Sequence, residues 1–475
     1  MPKALKAIVY VSGALVGVIV LAATVLYFFL DANAYKARLE TAASDITGME
    51  VSVNGRLGIG FFPGLLVTLD DVHIRNRGTE LVTAKKARIG VDFLALLNKD
   101  VRIRKVVLEQ PSLSIERERD GRFNFQRSEK ALGPLPDVNL ANLSFSGGTL
   151  RYADRQSGKG FEATECSLDV SPLQLSNRGR PGIMKNLSLA AEGVCGAVRT
   201  KEHAASDLKF TVAGQHGLFD VKPLTMQVYA GQGAGTIRAD FTGAVPRYDV
   251  RYTLSQFHID AFLKPLSPKN VPEGSVDLSA NLSMQGKTMK NMRQTLQGQV
   301  SLRGKHLILK GRNLDQEFAR FESSQTFNLI DMGAFFFAGP VGLAVTKGYD
   351  FASVLQGSEG RSVIRTLVSD WKVERGVAWS RDVAMATNKN RVALQGGLDF
   401  VNERFDDVTV ALIDDKGCIR AQQTIHGVFK KPVVENPSTL KALTGPVARL
   451  FKQVGRLFPG GECDVFYAGS VAAPK

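Results

Sequence analysis

The feature that most constrains this chain is an alternation of apolar and polar residues that recurs, with interruptions, across residues 143–412. Side chains of a β-strand point alternately to the two faces of a sheet, so a period of two predicts strands with one apolar face. Turn residues recur between these segments, and the long helices that parallel crossover connections need are missing. The pattern therefore predicts a mainly β protein, with a large antiparallel sheet and a few short helices.

An apolar sheet face must be covered by a second sheet, by closure of the sheet on itself, or by a ligand. One curled sheet would form an elongated antiparallel β-groove, and two β-sandwich-like domains would produce the same pattern. The periodicity leaves both architectures open. The clearest run of alternation supplies the candidate groove-lining residues, which are Val276, Leu278, Ala280, Leu282 and Met284.

The N-terminal segment at residues 7–30 is uncharged, follows Lys3 and Lys6, and ends before Asp31. A helix of this length spans roughly 36 Å and can cross a hydrocarbon core of ~30 Å. The basic residues before the segment place the N-terminus in the cytoplasm. A cleaved signal peptide is the alternative, with a possible site at residues 32–34, but secretory apolar regions are usually ~7–15 residues long. We therefore predict an uncleaved, single-pass transmembrane helix.

The remaining chain divides at changes of composition. Gly133, Pro134 and Pro136 mark a linker, because such residues interrupt strands and helices. The predicted plan is a cytoplasmic stub at 1–6, the anchor at 7–30, a helix plus β-sheet unit at 31–127, the linker at 128–138, a main β-groove domain at 139–436, and a C-terminal amphipathic helix with a closing strand at 437–475.

Two apolar segments break the strand pattern. The first, at residues 332–345, contains Phe335, Phe336 and Phe337. The second is a predicted amphipathic helix that Ser438 can cap and whose basic side chains lie off its apolar stripe. Both segments are candidate membrane or lid contacts, although each could instead pack on its own domain. The candidate contact residues of the second segment are Leu450, Phe451 and Val454.

The four cysteines are compatible with an exported domain. Cys166, Cys195, Cys418 and Cys463 show no CxxC spacing, so zinc-site and thioredoxin-type interpretations are weak. Four cysteines allow three pairings, and proximity in the sequence favours Cys166–Cys195 and Cys418–Cys463. Free buried thiols are the alternative.

Charge and motifs limit the classes of function. The net charge of +14 fits an anionic partner, such as lipid head groups, lipopolysaccharide or nucleic acid, or it serves solubility alone. A P-loop ending at residues 286–288 lacks its upstream glycine, because that position holds Asn281. The histidines are isolated and form no HExxH motif. We therefore expect no enzyme activity, no metal and no cofactor.

Short motifs in a fixed order connect the chain to a known family. Behind the predicted anchor come a T-G turn, a strand entry of the form G-x-L, an L-x-D-V strand core and a D-G-x-x-N strand end. In this sequence they read TG at 47–48, GRL at 55–57, FPG at 62–64, LDDV at 69–72, QPSL at 110–113, DGRFN at 120–124, FSGGTLRYAD at 145–154, FNLIDMGA at 327–334, DKGC at 415–418 and CDVFYAGSV at 463–471. In this order the chain resembles the AsmA family of inner-membrane-anchored envelope proteins.

The resemblance implies a β-groove related to the bridge-type lipid transfer proteins, with an apolar interior that holds acyl chains. It further implies that the bulk of the chain lies in the periplasm, and that membrane phospholipids or lipopolysaccharide, the inner membrane and envelope or outer-membrane proteins are partners, without nucleic acid. Lipid binding or transfer in outer-membrane biogenesis is the leading hypothesis. An assembly factor that binds outer-membrane proteins at exposed strand edges is the alternative. A purely structural protein with closed sandwiches is the third.

Overall fold

The computed structural model describes residues 36–60, 65–92, 102–125, 138–176, 183–264, 271–324, 360–436, 438–439 and 463–474. Within these residues the chain forms two compact units, Met1–Leu173 and Gln174–Lys475. Strands dominate both units and helices are short, so the predicted mainly β class is confirmed. No helix of the described part is long and apolar enough to cross a bilayer, and the predicted anchor at residues 7–30 lies outside it.

The first unit begins with a helix, α1 (Lys36–Thr47), and continues with strands. These are β1 (Glu50–Val53), β2 (Leu57–Gly60), β3 (Leu65–Asn76), β4 (Thr79–Val91), β5 (Ile103–Glu109), β6 (Ser112–Arg117), β7 (Val138–Leu140), β8 (Asn142–Asp154) and β9 (Lys159–Leu175). Both β1 and β2 pair with β3, which pairs antiparallel with β4. Strand β8 pairs with β5 and β6 of this unit, and the boundary between the two units falls after residue 173. Most of the predicted linker at 128–138 lies outside the described residues.

One pairing departs from the predicted antiparallel pattern. Strands β5 and β6 are antiparallel to β4 but parallel to β8, with Val106 opposite Leu143 and Leu113 opposite Leu150. The sequence pattern did not reveal this parallel pairing. Period-two alternation is the same in parallel and antiparallel strands, so it cannot distinguish them.

Helix α1 covers the outer edge of β1. The Glu40 carboxylate accepts a hydrogen bond from the Val53 N–H at 2.7 Å, and the Ser44 hydroxyl accepts one from the Val51 N–H at 3.0 Å. Lys36 donates to the Gly55 carbonyl at 3.4 Å. Side chains of the helix therefore satisfy donors that an open strand edge would present to another chain.

The second unit is an antiparallel meander. Its strands are β10 (Leu187–Thr200), β11 (Ala204–Gln215), β12 (Leu218–Val228), β13 (Gly231–Asp240), β14 (Arg247–His258), β15 (Ser275–Gln285), β16 (Gln297–Lys310), β17 (Arg361–Glu374), β18 (Val377–Ala386), β19 (Arg391–Asp399), β20 (Arg404–Ile413), β21 (Ile419–Val428), β22 (Lys431–Val434) and β23 (Ser438–Thr439). Each strand from β10 to β21 pairs with the next, and β21 pairs with both β22 and β23. The short helices of this unit are α2 (Ile183–Asn186), α3 (Ile259–Leu263), α4 (Met289–Thr295) and α5 (Leu314–Ser324).

An antiparallel meander places its connections alternately at two ends of the sheet. Helices α2 and α4 lie at one end, together with residues 216–217, 241–246, 375–376, 400–403 and 429–430; we call this the α4 end. Helices α3 and α5 lie at the other end, together with residues 201–203, 229–230, 264, 271–274, 311–313, 360, 387–390 and 414–418; we call this the α5 end.

Strands β17–β21 are buried on both faces. On one face, Val392, Leu394, Val410 and Leu412 join a core that also contains Phe318 of α5. On the other face, alternate residues of the same strands join a second core with two side chains of the C-terminal segment 463–474. This second core contains Val368, Ala384, Ala386, Ala393, Ala411, Ile413, Tyr467 and Val471.

The C-terminal region differs from its prediction at two points. Ser438 and Thr439 form β23, which pairs with Gln422 and Ala421 of β21, so Ser438 does not cap a helix there. The predicted closing strand is reduced to one bridge between Val465 and Cys418. The first N–H groups of a helix have no partner within the helix, whereas here Ser438 and Thr439 pair with the backbone of β21. Most of the predicted helix lies outside the described residues.

Candidate functional site

The five predicted groove-lining residues share one face of β15. Val276, Leu278, Ala280, Leu282 and Met284 alternate with Asp277, Ser279, Asn281 and Ser283 on the opposite face. In β14 their cross-strand partners are Phe257, Leu254, Tyr252, Val250 and Tyr248, in that order. The five residues therefore share one face, and the register extends that face to the neighbouring strand; that they line a groove stays a prediction.

The same apolar face continues across β10–β15, and we call it the apolar floor. Val250 of β14 lies opposite Ile237 of β13, which lies opposite Val221 of β12. Val221 in turn lies opposite Val212 of β11, whose partner in β10 is Ala191. Six strands at ~4.8 Å spacing give a floor of roughly 24 Å across. This exceeds the ~15 Å depth of one leaflet of acyl chains, half of a ~30 Å hydrocarbon core.

Aromatic rings lie over glycines on this floor. Phe210 faces Gly193, and a Cβ added to that glycine would lie 2.3 Å from the Phe210 Cζ atom. Similarly, a Cβ on Gly233 would lie 2.1 Å from the Tyr252 hydroxyl oxygen. Because these glycines have no side chain, the rings can lie against the neighbouring strand, and the face of the floor remains apolar at these positions. Alternation alone does not predict this, because glycine interrupts the apolar pattern.

The floor is only half-covered. Leu278, Ala280, Leu282 and Met284 are all partly exposed, whereas Val276 is buried. Val250 and Ile237 on the adjoining strands are partly exposed as well. Apolar side chains of this size stabilise a protein by about 1.5–3 kcal/mol each when fully buried. The partial exposure of so many neighbours therefore marks a surface with room for a ligand or partner.

An aromatic cluster lies at the α5 end of the floor. The His203 ring stacks on Phe262 with centroids 5.8 Å apart, and Phe262 meets Tyr229 and Phe257 edge to face at 5.9 and 6.1 Å. The Tyr229 hydroxyl and Nδ1 of His203 are hydrogen-bonded to each other. Burial raises the pKa of Tyr229 to about 12, so its hydroxyl remains protonated and neutral in the physiological range.

A second aromatic cluster lies at the α4 end of the floor. Phe241 meets Phe219 and Tyr248 edge to face, with centroids 5.8 and 5.9 Å apart. In the middle of the floor, burial raises the pKa of Tyr252. The floor thus presents neutral aromatic and aliphatic groups along its whole length, which suits an uncharged apolar ligand.

The opposite face of the sheet carries a polar network that the sequence analysis missed. Asp370 accepts hydrogen bonds from Arg303 and Ser301, both at 2.5 Å, and the contact with the Asp370 carboxylate raises the pKa of Arg303. Open cavities of about 520 and 690 Å³ adjoin this network. Because Arg303 and Asp370 lie on different strands, only their register brings them together.

The remaining predicted site residues have different outcomes. Cys418 and Cys463 form a disulfide with Cα atoms 5.9 Å apart, as predicted, and Cys166 and Cys195 are also disulfide-bonded. The candidate membrane or lid contacts Phe335, Phe336, Phe337, Leu450, Phe451 and Val454 all lie outside the described residues. Among residues whose placement the structure gives, no cluster of three potential metal ligands occurs.

The second unit is thus a long antiparallel meander whose apolar floor is partly exposed. A sequence model of the AsmA family matches residues 1–181 and 194–331. These ranges include β11–β15, and they cover well over half of the chain. The chain belongs to the AsmA family. No curated protein matches it.

Proposed function

We propose that the protein is a non-enzymatic, inner-membrane-anchored periplasmic protein that binds or transfers phospholipid acyl chains along the apolar floor. This role would contribute to outer-membrane biogenesis and lipid homeostasis. The single observation that carries the proposal is the continuous, partly exposed apolar face of β10–β15.

The physical argument concerns water. Each CH₂ group moved out of water is stabilised by about 0.8 kcal/mol, so an acyl chain is held wherever an apolar surface shields it. Binding by this means needs no covalent chemistry and no catalytic residue. Family membership and the uncharged segment at residues 7–30 support the anchored, envelope location.

The alternative function, binding of outer-membrane proteins at exposed strand edges, has less support. Strand β22 is four residues long and carries Lys431 and Pro432, features that blunt an edge against pairing. In the first unit, α1 occupies the donors of the β1 edge. Neither feature suits a surface that adds strands from a partner.

The decisive experiment places a charge on the floor. Leu278→Asp and Leu282→Asp should each leave protein abundance and melting temperature nearly unchanged, because the new carboxylate can reach water. Both should lose most of the co-purifying phospholipid, measured by mass spectrometry after mild extraction of the full-length protein.

Matched controls come from the same strand. Ser279→Asp and Asn281→Asp introduce the same charge on the opposite face, and both should retain wild-type lipid. Normal abundance with unchanged lipid in the Leu278 and Leu282 variants would contradict the proposal. Unfolding of those variants would favour a closed core and the structural alternative.

A further inference from the structure

Exposed apolar side chains concentrate at one end of the second unit. The described residues of this unit include eight large hydrophobic side chains that are exposed. Six of the eight lie in a connection at the α4 end or within three residues of one: Ile183, Val245, Met289, Trp379, Val428 and Val433. Met289 is the most exposed of them, at 68%. Single exposed apolar residues are ordinary, but their accumulation along one rim is not.

Charge is distributed just as unevenly. The described connections at the α4 end carry one acidic side chain, Glu403, and six basic ones: Lys185, Lys287, Lys290, Arg293, Arg375 and Lys430. The described connections at the α5 end carry eight acidic and six basic side chains. Within the connections themselves, a basic excess is therefore found at the α4 end and not at the α5 end, whereas the strand ends next to them carry both signs at either end.

Hydrogen bonds hold these connections together as one rim. The Gly376 N–H donates to the Leu296 carbonyl at 2.8 Å, and the Phe400 N–H donates to the Gly376 carbonyl at 3.0 Å. Farther along, the Phe429 N–H donates to the Glu403 carbonyl at 2.7 Å. An ion pair of 3.4 Å between Arg293 and Glu403 ties α4 to the same rim. The exposed side chains thus project from a connected backbone support.

We propose that the α4 end of the second unit docks on the surface of an anionic lipid bilayer. Lysines attract acidic head groups, while Met289, Val245 and Ile183 enter the boundary between head groups and acyl chains. Trp379 suits the same boundary, since tryptophan is enriched at membrane–water interfaces. Docking here would bring the aromatic cluster of Phe219, Phe241 and Tyr248 beside the lipid surface. The inference concerns membrane contact and holds whether or not the floor carries lipid.

A lipid surface explains the combination of features better than an acidic protein does. A protein-binding patch usually has an apolar centre surrounded by a polar rim. Here, the exposed apolar and basic side chains are distributed over several separate connections. A planar surface that is anionic outside and apolar beneath fits this arrangement.

The test uses the full-length protein held in phosphatidylcholine nanodiscs on beads. Fluorescent vesicles of phosphatidylglycerol and phosphatidylethanolamine should bind to these beads, and pure phosphatidylcholine vesicles should bind far less. Each basic side chain near an anionic surface contributes about fivefold to binding. The double variant Lys287→Glu/Lys290→Glu should therefore weaken capture by at least about 25-fold. Met289→Ser should remove most of the binding that persists at high salt.

The matched control is Lys389→Glu/Lys416→Glu, which changes charge equally at the α5 end and should bind like the wild type. Equal losses in both double variants would overturn the proposal, because they would indicate an effect of net charge alone. If the protein on the beads retained soluble polyglutamate but captured no vesicles, the proposal would also be overturned, in favour of an acidic protein partner. Leu282→Asp should capture vesicles normally, which separates this test from that of lipid carriage.

Discussion

Strands β10–β15 and β17–β21 belong to the same meander, yet they are covered differently. In β10–β15 most apolar side chains of the floor remain partly exposed, whereas Val392, Leu394, Val410 and Leu412 of the later strands are almost completely buried. Helix α5 and the C-terminal segment provide the cover that β10–β15 lack. The comparison shows that one repeated strand pattern can produce a closed core in one half of a sheet and an open surface in the other.

The largest difference between the two regions should appear when a charge is introduced. The Leu412 side chain is completely buried, with 0% exposure. Leu412→Asp therefore buries an unpaired carboxylate, which costs several kcal/mol and should unfold the protein or reduce its abundance. Leu282→Asp should shift the melting temperature only slightly. Fluorescence of Trp371 and Trp379, the two tryptophans of the chain, reports on this unit directly. Equal destabilisation by both variants would show that the floor is closed.

The second effect concerns the cover on the second face of β17–β21. The Cys418–Cys463 disulfide joins residues 45 positions apart and holds the C-terminal segment against the sheet. Loss of a disulfide that closes a loop of this size costs roughly 4 kcal/mol in the chain-entropy description. Cys418→Ser/Cys463→Ser should lower the stability by this amount in chemical denaturation, without changing the lipid recovered from the floor. Unchanged stability would mean that packing of Tyr467 and Val471 holds the segment by itself.

The smallest effect is a pH dependence in the same cover. Burial opposes ionisation of Asp382, but hydrogen bonds from Ser470 at 2.5 and 3.0 Å and from Tyr467 at 2.5 Å outweigh it and lower the pKa of Asp382. A lowered pKa means that the stabilisation is complete above the unfolded value near ~3.9 and is lost as the pH falls through the folded value. The melting temperature of Asp382→Asn should therefore fall less between about pH 5 and pH 2 than that of the wild type. Parallel curves would contradict a role for the Asp382 charge in the cover.

Part of this fold was readable from the sequence. The face shared by Leu278, Ala280 and Leu282 followed from alternation, because the geometry of a strand fixes it locally. The pairing of Cys418 with Cys463 agreed with proximity in the sequence. A helical signal at Leu314, Phe318 and Phe321 was also present, with spacings of four and three residues, but the sequence analysis did not use it.

The sequence alone determined that the chain would form a β-sheet and that β15 would have one apolar face made of Leu278, Ala280 and Leu282. Tertiary structure alone decided where that face is covered, since α5 and residues 463–474 are distant in sequence from most of the strands they contact. It also decided the parallel pairing of β8 and the meeting of Arg303 with Asp370. Local periodicity depends on neighbouring residues, whereas cover and register depend on contacts between remote segments, which no local pattern specifies.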